Sequence, residues 1–183
     1  LLALLLLLPA WAWAGNWYEA RLIQQARAGA AGEISARASA LTAAINQRIA
    51  FLQGLHSYTR TEWPGADFDQ AFETFASGFY FNATGVRTLM LAPEGIARYI
   101  FPLLDWNALS GYDILNDPEP ATRAAVQRAI HTRAVTLSQP GELRQGGFGL
   151  TAWQAVYRGK ELWGLVSIAL DLDAILAEVG VTN

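Results

Sequence analysis

No cysteine occurs among the 183 residues. Disulfides, thiol catalysis and Cys-ligated metals are therefore excluded, although the lack of Cys says little about compartment. Charge is thin as well: Asp, Glu, Lys and Arg make up 16 % of the chain, with a net charge of −3. A nucleic-acid surface needs clustered Lys and Arg, so nucleic acid is not an expected partner. His56 and His131 have no nucleophile or metal-spaced partner nearby in sequence, which suits surface or helix-end roles. Gly146-Gly147-Phe148-Gly149 is followed by no Lys-Ser/Thr and leads into a strand pattern, so it lacks the helix N-terminus that binds phosphate. Its expected use is to let backbone pass close to a sheet face. Asp171 and Asp173 stand where a helix begins, and capping explains them better than a cation does. These patterns point to no catalytic residue, metal site or cofactor.

What the sequence does have is a pair of apolar runs between Leu150 and Leu170, separated by Arg158-Gly159-Lys160. The first run alternates, with Trp153 and Tyr157 set apart from Leu150 and Val156. The second, Leu162 to Leu170, is apolar on both faces. A short basic linker containing Gly suits a hairpin. A strand apolar on both sides must be covered on both sides. The hairpin is therefore expected in the middle of a sheet, with helices on one face and something else over the other.

Leu1 to Ala14 is uncharged and apolar, with Trp11, Trp13, Trp17 and Tyr18 around its end. A span needs roughly 20 apolar residues. Aromatic side chains collect at membrane interfaces, so residues 1–18 read as a partial membrane anchor. The rival is a cleaved signal, since Ala12-Trp13-Ala14 has the small-x-small pattern of a cleavage site. Either one exports the rest of the chain. Residues 19–62 hold no Pro and much Ala, Gln, Arg and Leu, and Leu41, Ile45, Ile49, Leu52 and Leu55 form one helical stripe. About 40 such residues make a rod of about 60 Å, a stalk helix suited to pairing with a second copy as a homodimer.

Trp63-Pro64-Gly65 should end that helix. Asp67 then reads as an N-cap closing a capping box with Gln70, ahead of a core stripe of Phe68, Phe72, Phe75 and Phe79. Val86–Ala92 and Ile96–Phe101 are expected strands around Pro93-Glu94-Gly95. Asp117 with Pro118 should open a helix ending near His131. Val135–Leu137 is a short strand, and Asp171 caps a closing helix through Val179, in the segment 172–183. The strands number two, one and two: an α+β domain over 63–171, with a five-stranded antiparallel sheet and flanking helices on a long N-terminal stalk helix.

Asp113 is the acid that stands out, coming after Gly111 in an apolar and aromatic neighbourhood. It either holds its own turn through loop N–H groups or anchors a cationic or N–H-bearing ligand, a bond worth roughly 1.5–3 kcal/mol. The ordered segments Leu89–Gly95, Tyr99–Pro102, Gly111–Leu115, Leu143–Gly147 and Leu162–Val166 resemble the CHASE domain, the extracytoplasmic sensing module of histidine kinases and nucleotide cyclases. The resemblance covers about Ala40 to Val179. It implies a PAS-like sheet, a small ligand held between sheet and loops, a second membrane span and a cytoplasmic output domain. In plant cytokinin receptors of that family an Asp and a strand backbone group bind the ligand. The matching positions here are Asp113 and Leu137, the latter ahead of Ser138-Gln139-Pro140 with one extra residue before the proline.

The expected function is extracytoplasmic sensing of an unknown small molecule by a membrane-bound receptor of histidine kinase or diguanylate cyclase type. The sensing domain would lie on the periplasmic side of the inner membrane and have no catalysis of its own. Strand alternation offers Tyr99, Phe101, Phe148 and Trp153 as pocket lining beside Asp113 and Leu137. The alternative is a structural or protein-interaction module whose sheet face is filled by its own side chains.

Overall fold

The computed structural model describes residues 2–62 and 67–181. The chain divides into two units, Leu1–Ala40 and Leu41–Asn183. Helix α1, Leu2–Glu62, runs through both. In the first unit residues 27–40 are exposed, and Arg37 pairs with Glu33 one turn back at 2.6 Å. Among the described residues no helix is long and apolar enough to cross a membrane. The anchor or signal read at Leu1–Ala14 falls on residues whose side chains lie outside the described ones, as does the stop at Trp63-Pro64-Gly65.

The second unit carries the sheet. After α2 (Phe68–Tyr80) come β1 (Val86–Pro93), β2 (Tyr99–Phe101), a 3-10 turn at Leu103–Asp105 and the short α3 (Trp106–Leu109). Next are α4 (Pro120–Thr132), β3 (Thr136–Leu137), β4 (Gly141–Glu142), β5 (Phe148–Arg158), β6 (Glu161–Asp171) and α5 (Leu172–Glu178). All pairings are antiparallel in the order β2-β1-β6-β5-β3, with β4 also on β5. The apolar hairpin is thus central, as its two-sided hydrophobicity requires. Its turn is Gly159-Lys160, with Gly159 at φ 61°. The two-residue β4 adds a sixth strand to the five expected, and β2 is shorter than its sequence suggested: Ile96 makes a single bridge to Asp113 instead.

One face of the sheet carries the main core, with a small hollow of about 230 Å³ at its β2 edge beside Phe72, Tyr99 and Phe101. Leu52 and Leu55 of α1, Phe68, Phe72 and Ala76 of α2, and Ile175 of α5 close over Leu89, Leu91, Leu150, Val156, Val166, Ile168 and Leu170. Fully burying each such Leu, Ile or Phe contributes about 1.5–3 kcal/mol, so this face dominates stability. The phenylalanine stripe is core: Phe75 stacks on Tyr58 at 4.6 Å and tilts on Phe79 at 4.7 Å. Tyr99 and Phe101 belong here too, edge-on to Phe68 and Tyr80.

The second face is covered only in part, and by a helix. Ala125, Val126 and Ala129 of α4 lie over Ala92, Ala155 and Leu165. Helices therefore flank both faces. The start of α4 differs from the sequence reading. Glu119, not Asp117, is the N-cap, and Pro120 takes the first position that Pro118 was expected to fill. Asp117 is withdrawn into the protein and its Oδ1 accepts the Glu119 N–H at 2.7 Å. Asp67 flanks α2 without a side-chain cap bond, so the expected capping box does not form; its backbone carbonyl serves the Ala71 N–H. Asp171 does cap α5, accepting from the Ala174 N–H at 3.0 Å.

Candidate functional site

Beyond the reach of α4, the second face carries two rows of cross-strand neighbours with little bulk between them. One row is Thr88–Ala169–Thr151, the other Met90–Ser167–Trp153. Large residues at 168 and 170 fill the main core face, while Ser167 and Ala169 leave this one open. Gly149 lets neighbours pack close, since a Cβ there would meet the Leu170 carbonyl at 2.1 Å and Leu143 at 2.8 Å. The outcome is a cavity of about 640 Å³ over β1, β6 and β5. That size falls within the usual range for small-molecule sites. Its outer walls are Tyr112 and Ile114, the approach to α4 at Asp117 and Glu119, and the chain from Ser138 to Gln145.

Polar groups converge on one side of this hollow. Asp117 is 5 % exposed. The phenol of Tyr112 lies close to its carboxylate. Arg144 donates to the Tyr112 hydroxyl at 2.6 Å, lies 3.8 Å from the centre of that ring, and reaches to 3.7 Å from Asp117 Oδ2. Burial and the neighbouring Asp117 charge push the Tyr112 phenol up to about 12, so it stays protonated and can donate. On the sheet, Gln145 Nε2 donates to Thr88 Oγ1 at 3.1 Å, and Arg87 donates to the Gln145 carbonyl at 3.2 Å. These bonds tie the Leu143–Gly147 turn to β1. Trp153 is 6 % exposed, and its Nε1–H has no acceptor among the described residues. An unsatisfied buried donor costs about 1–3 kcal/mol.

The residues named from sequence separate. Trp153 lines the cavity; Asp113, Leu137, Tyr99, Phe101 and Phe148 do not. Asp113 accepts from the Leu115 N–H at 3.1 Å, the Asn116 N–H at 3.2 Å and Asn116 Nδ2 at 2.7 Å. These bonds, led by the Asn116 side chain, lower its pKa. It holds its own turn, one of the two roles open to it. Leu137 turns its side chain outward and its carbonyl accepts from Arg128 at 3.3 Å. Ser138, Gln139 and Pro140, the residues after it, are the ones on the cavity. Tyr99 and Phe101 face the opposite core, because β2 is paired to β1 in a register that puts them beside Leu91 and Leu89. Phe148 is 46 % exposed at the start of β5, opposite Glu142 of β4. His56 is half-buried outside the cavity, and desolvation lowers its pKa.

Asp117, Tyr112 and Arg144 escaped the sequence reading. A signal was present in the small residues alternating with large ones, Gly149-x-Thr151-x-Trp153 and Ser167-x-Ala169, which mark an unfilled sheet face. Among the described residues no group of three or more His, Asp or Glu stands close enough together to hold a metal ion.

The CHASE domain family model matches residues 46–182, which takes in this cavity and most of both cores. The chain belongs to the CHASE family. It is thereby placed among extracytoplasmic ligand-sensing modules. Solved structures agree on the PAS-like fold. An extracellular ligand binding receptor from Desulfohalobium retbaense is 16 % identical with a TM-score of 0.54, over 76 % of this chain and 26 % of its own. The ligand-binding domain of the Pseudomonas aeruginosa chemoreceptor PctC, solved with GABA, is 19 % identical with a TM-score of 0.57, over 78 % and 62 %. That of Campylobacter jejuni Tlp3, solved with L-norvaline, is 10 % identical with a TM-score of 0.55, over 81 % and 61 %. The CHASE chain thus spans under two thirds of each of these structures. No curated protein sequence matches it.

Proposed function

We propose that this CHASE domain is the sensing part of a membrane-bound signalling receptor and takes a small polar molecule into the cavity between β1, β6, β5 and the Ser138–Gln145 chain. The observation that carries the reading is a hollow of about 640 Å³ lined by Trp153, by the Tyr112–Arg144 contact and by the buried Asp117. Asp117, Tyr112, Arg144 and Trp153 would hold the ligand, while Asp113 acts as a positioning residue that sets the turn bearing Tyr112 and Ile114. The similar structures solved with GABA and L-norvaline support a small polar ligand of this scale.

Output through a kinase or cyclase domain, anchoring in the inner membrane by residues 1–18 and pairing of two α1 helices belong to the same proposal. The exposed side chains at 27–40 suit the pairing. A ligand could shift output only by its differential affinity for two arrangements of the domain. A second reading, a protein-interaction module, draws on Phe81, Leu103 and Leu104, which are 77 %, 60 % and 92 % exposed.

A thermal-shift panel of small amines, amino acids and carboxylates tests the proposal. A ligand at a hundred times its Kd should stabilise the domain by about 2.7 kcal/mol, a rise of several degrees in Tm. Asp117→Asn and Trp153→Phe should reduce that shift. A panel without a single hit, together with a crystal structure showing the cavity collapsed, would sink the reading.

A further inference from the structure

Among the described residues, Arg144 is the one cationic side chain lining a cavity that also bears three carboxylates, those of Asp117, Glu119 and Glu142. Its guanidinium does not project into open space. It lies on the Tyr112 ring and donates to the Tyr112 hydroxyl, with the buried Asp117 carboxylate beyond. An aromatic face with a carboxylate behind it is a cradle for an organic cation. Here the cradle is filled by the protein's own side chain.

The tether of that side chain is suited to letting go. Arg144 is 40 % exposed, and partly exposed ion pairs are weak. The turn that carries it closes on itself through the Leu143 N–H to the Gly147 carbonyl and the Gly146 N–H to the Leu143 carbonyl, both at 2.8 Å. Gly146 and Gly147 both have φ 86°, with open space around their α-carbons. The cradle itself is fixed: Asp117 is held by the Glu119 N–H, and Tyr112 is followed by the hydrogen-bonded Asp113 turn.

We infer that Arg144 stands in the place of a ligand's cationic group, so that an alkylammonium or alkylguanidinium compound enters by exchange with it and loosens the Leu143–Gly147 turn, which the Gln145 bonds to Thr88 and Arg87 still hold to β1. The inference rests on the cavity being the ligand site and adds both the ligand's charge and the moving part.

Agmatine, a guanidinium and an ammonium without a carboxylate, is a direct probe, and succinate is its opposite. An internal competitor that fills the cradle nine-tenths of the time lowers apparent affinity about tenfold. Arg144→Ala, and Arg144→Gln as a second variant, should therefore bind agmatine about tenfold more tightly than wild type by calorimetry. Asp117→Asn should abolish that gain, and amide exchange at Leu143 and Gly146 should speed up when agmatine binds wild type. Agmatine binding that weakens in both Arg144 variants, no agmatine binding to any of them, or succinate binding that depends on Arg144 would each overturn the inference. If the wider panel yields a ligand that needs Trp153 but is indifferent to Asp117 and Arg144, the exchange mechanism fails while the ligand-sensing reading stands.

Discussion

Asp113 and Asp117 lie four residues apart in one irregular stretch, yet only Asp117 turns its carboxylate into the interior. The difference is one of hydrogen-bond supply. Asp113 finds three donors in Leu115 and Asn116, all within its own turn, whereas Asp117 finds one backbone donor locally and then lies near Tyr112 and Arg144. Local sequence reveals that both are acids in a loop but not which of them spends its acceptors on the loop. The Tyr112 phenol reports directly on the arrangement. Burial and the Asp117 charge oppose phenolate, and Arg144 pulls the other way without prevailing, which places the titration at about 12. Ultraviolet titration, taken as the difference between wild type and Tyr112→Phe, should show it there. Asp117→Asn should bring it down toward the ordinary value near 10. Arg144→Ala should raise it. A Tyr112 that titrates with ordinary tyrosines in wild type would mean the phenol and carboxylate do not meet.

At the level of elements, apolar periodicity found α1, the phenylalanine face of α2 and the central hairpin, because each buries a regular stripe. It missed what joins them, since polar joints leave no apolar period. Arg48 on α1 is 3 % exposed. It donates to the Thr84 carbonyl at 2.8 and 2.5 Å, to the Ala44 carbonyl at 2.7 Å, and to Glu178 of α5 at 2.5 Å. One side chain thus links the helix, the turn before β1 and the last helix of the domain. Glu178 is 41 % exposed and regains water when its partner goes, whereas Arg48, 3 % exposed, also serves the Thr84 and Ala44 carbonyls. Arg48→Met should therefore cost about 1–3 kcal/mol in urea unfolding. Glu178→Gln should cost under about 1 kcal/mol. Arg48→Lys should fall between them, because an ammonium cannot fork to acceptors on three elements. Equal losses from Arg48→Met and Glu178→Gln would show that the ion pair, not the carbonyl bonds, holds the joint.

For the molecule as a whole, the division at Ala40 and Leu41 makes a statement about where stability lies. Every α1 side chain that is buried falls between Ala44 and Thr59: Ala44, Arg48, Leu52, Leu55 and Thr59, among the described residues. Residues 27–40 are exposed, and the Arg37–Glu33 pair holds only one helical turn to the next. A chain beginning at Leu41 should then unfold cooperatively with a Tm within about 2 °C of the longer protein, since surface changes are usually worth under about 0.5 kcal/mol. A chain beginning at Gly54 makes the opposite case. It loses Leu52, whose removal alone approaches the 2–5 kcal/mol of a large core truncation, together with Arg48 and the cover over β5 and β6. Against a total stability of about 5–15 kcal/mol, that loss leaves little or no cooperative unfolding. Calorimetry on the two truncations decides the point. A Leu41 chain that melts far below the parent would place part of the fold's stability in residues 1–40, and α1 would then have to be treated as one structural element from its beginning.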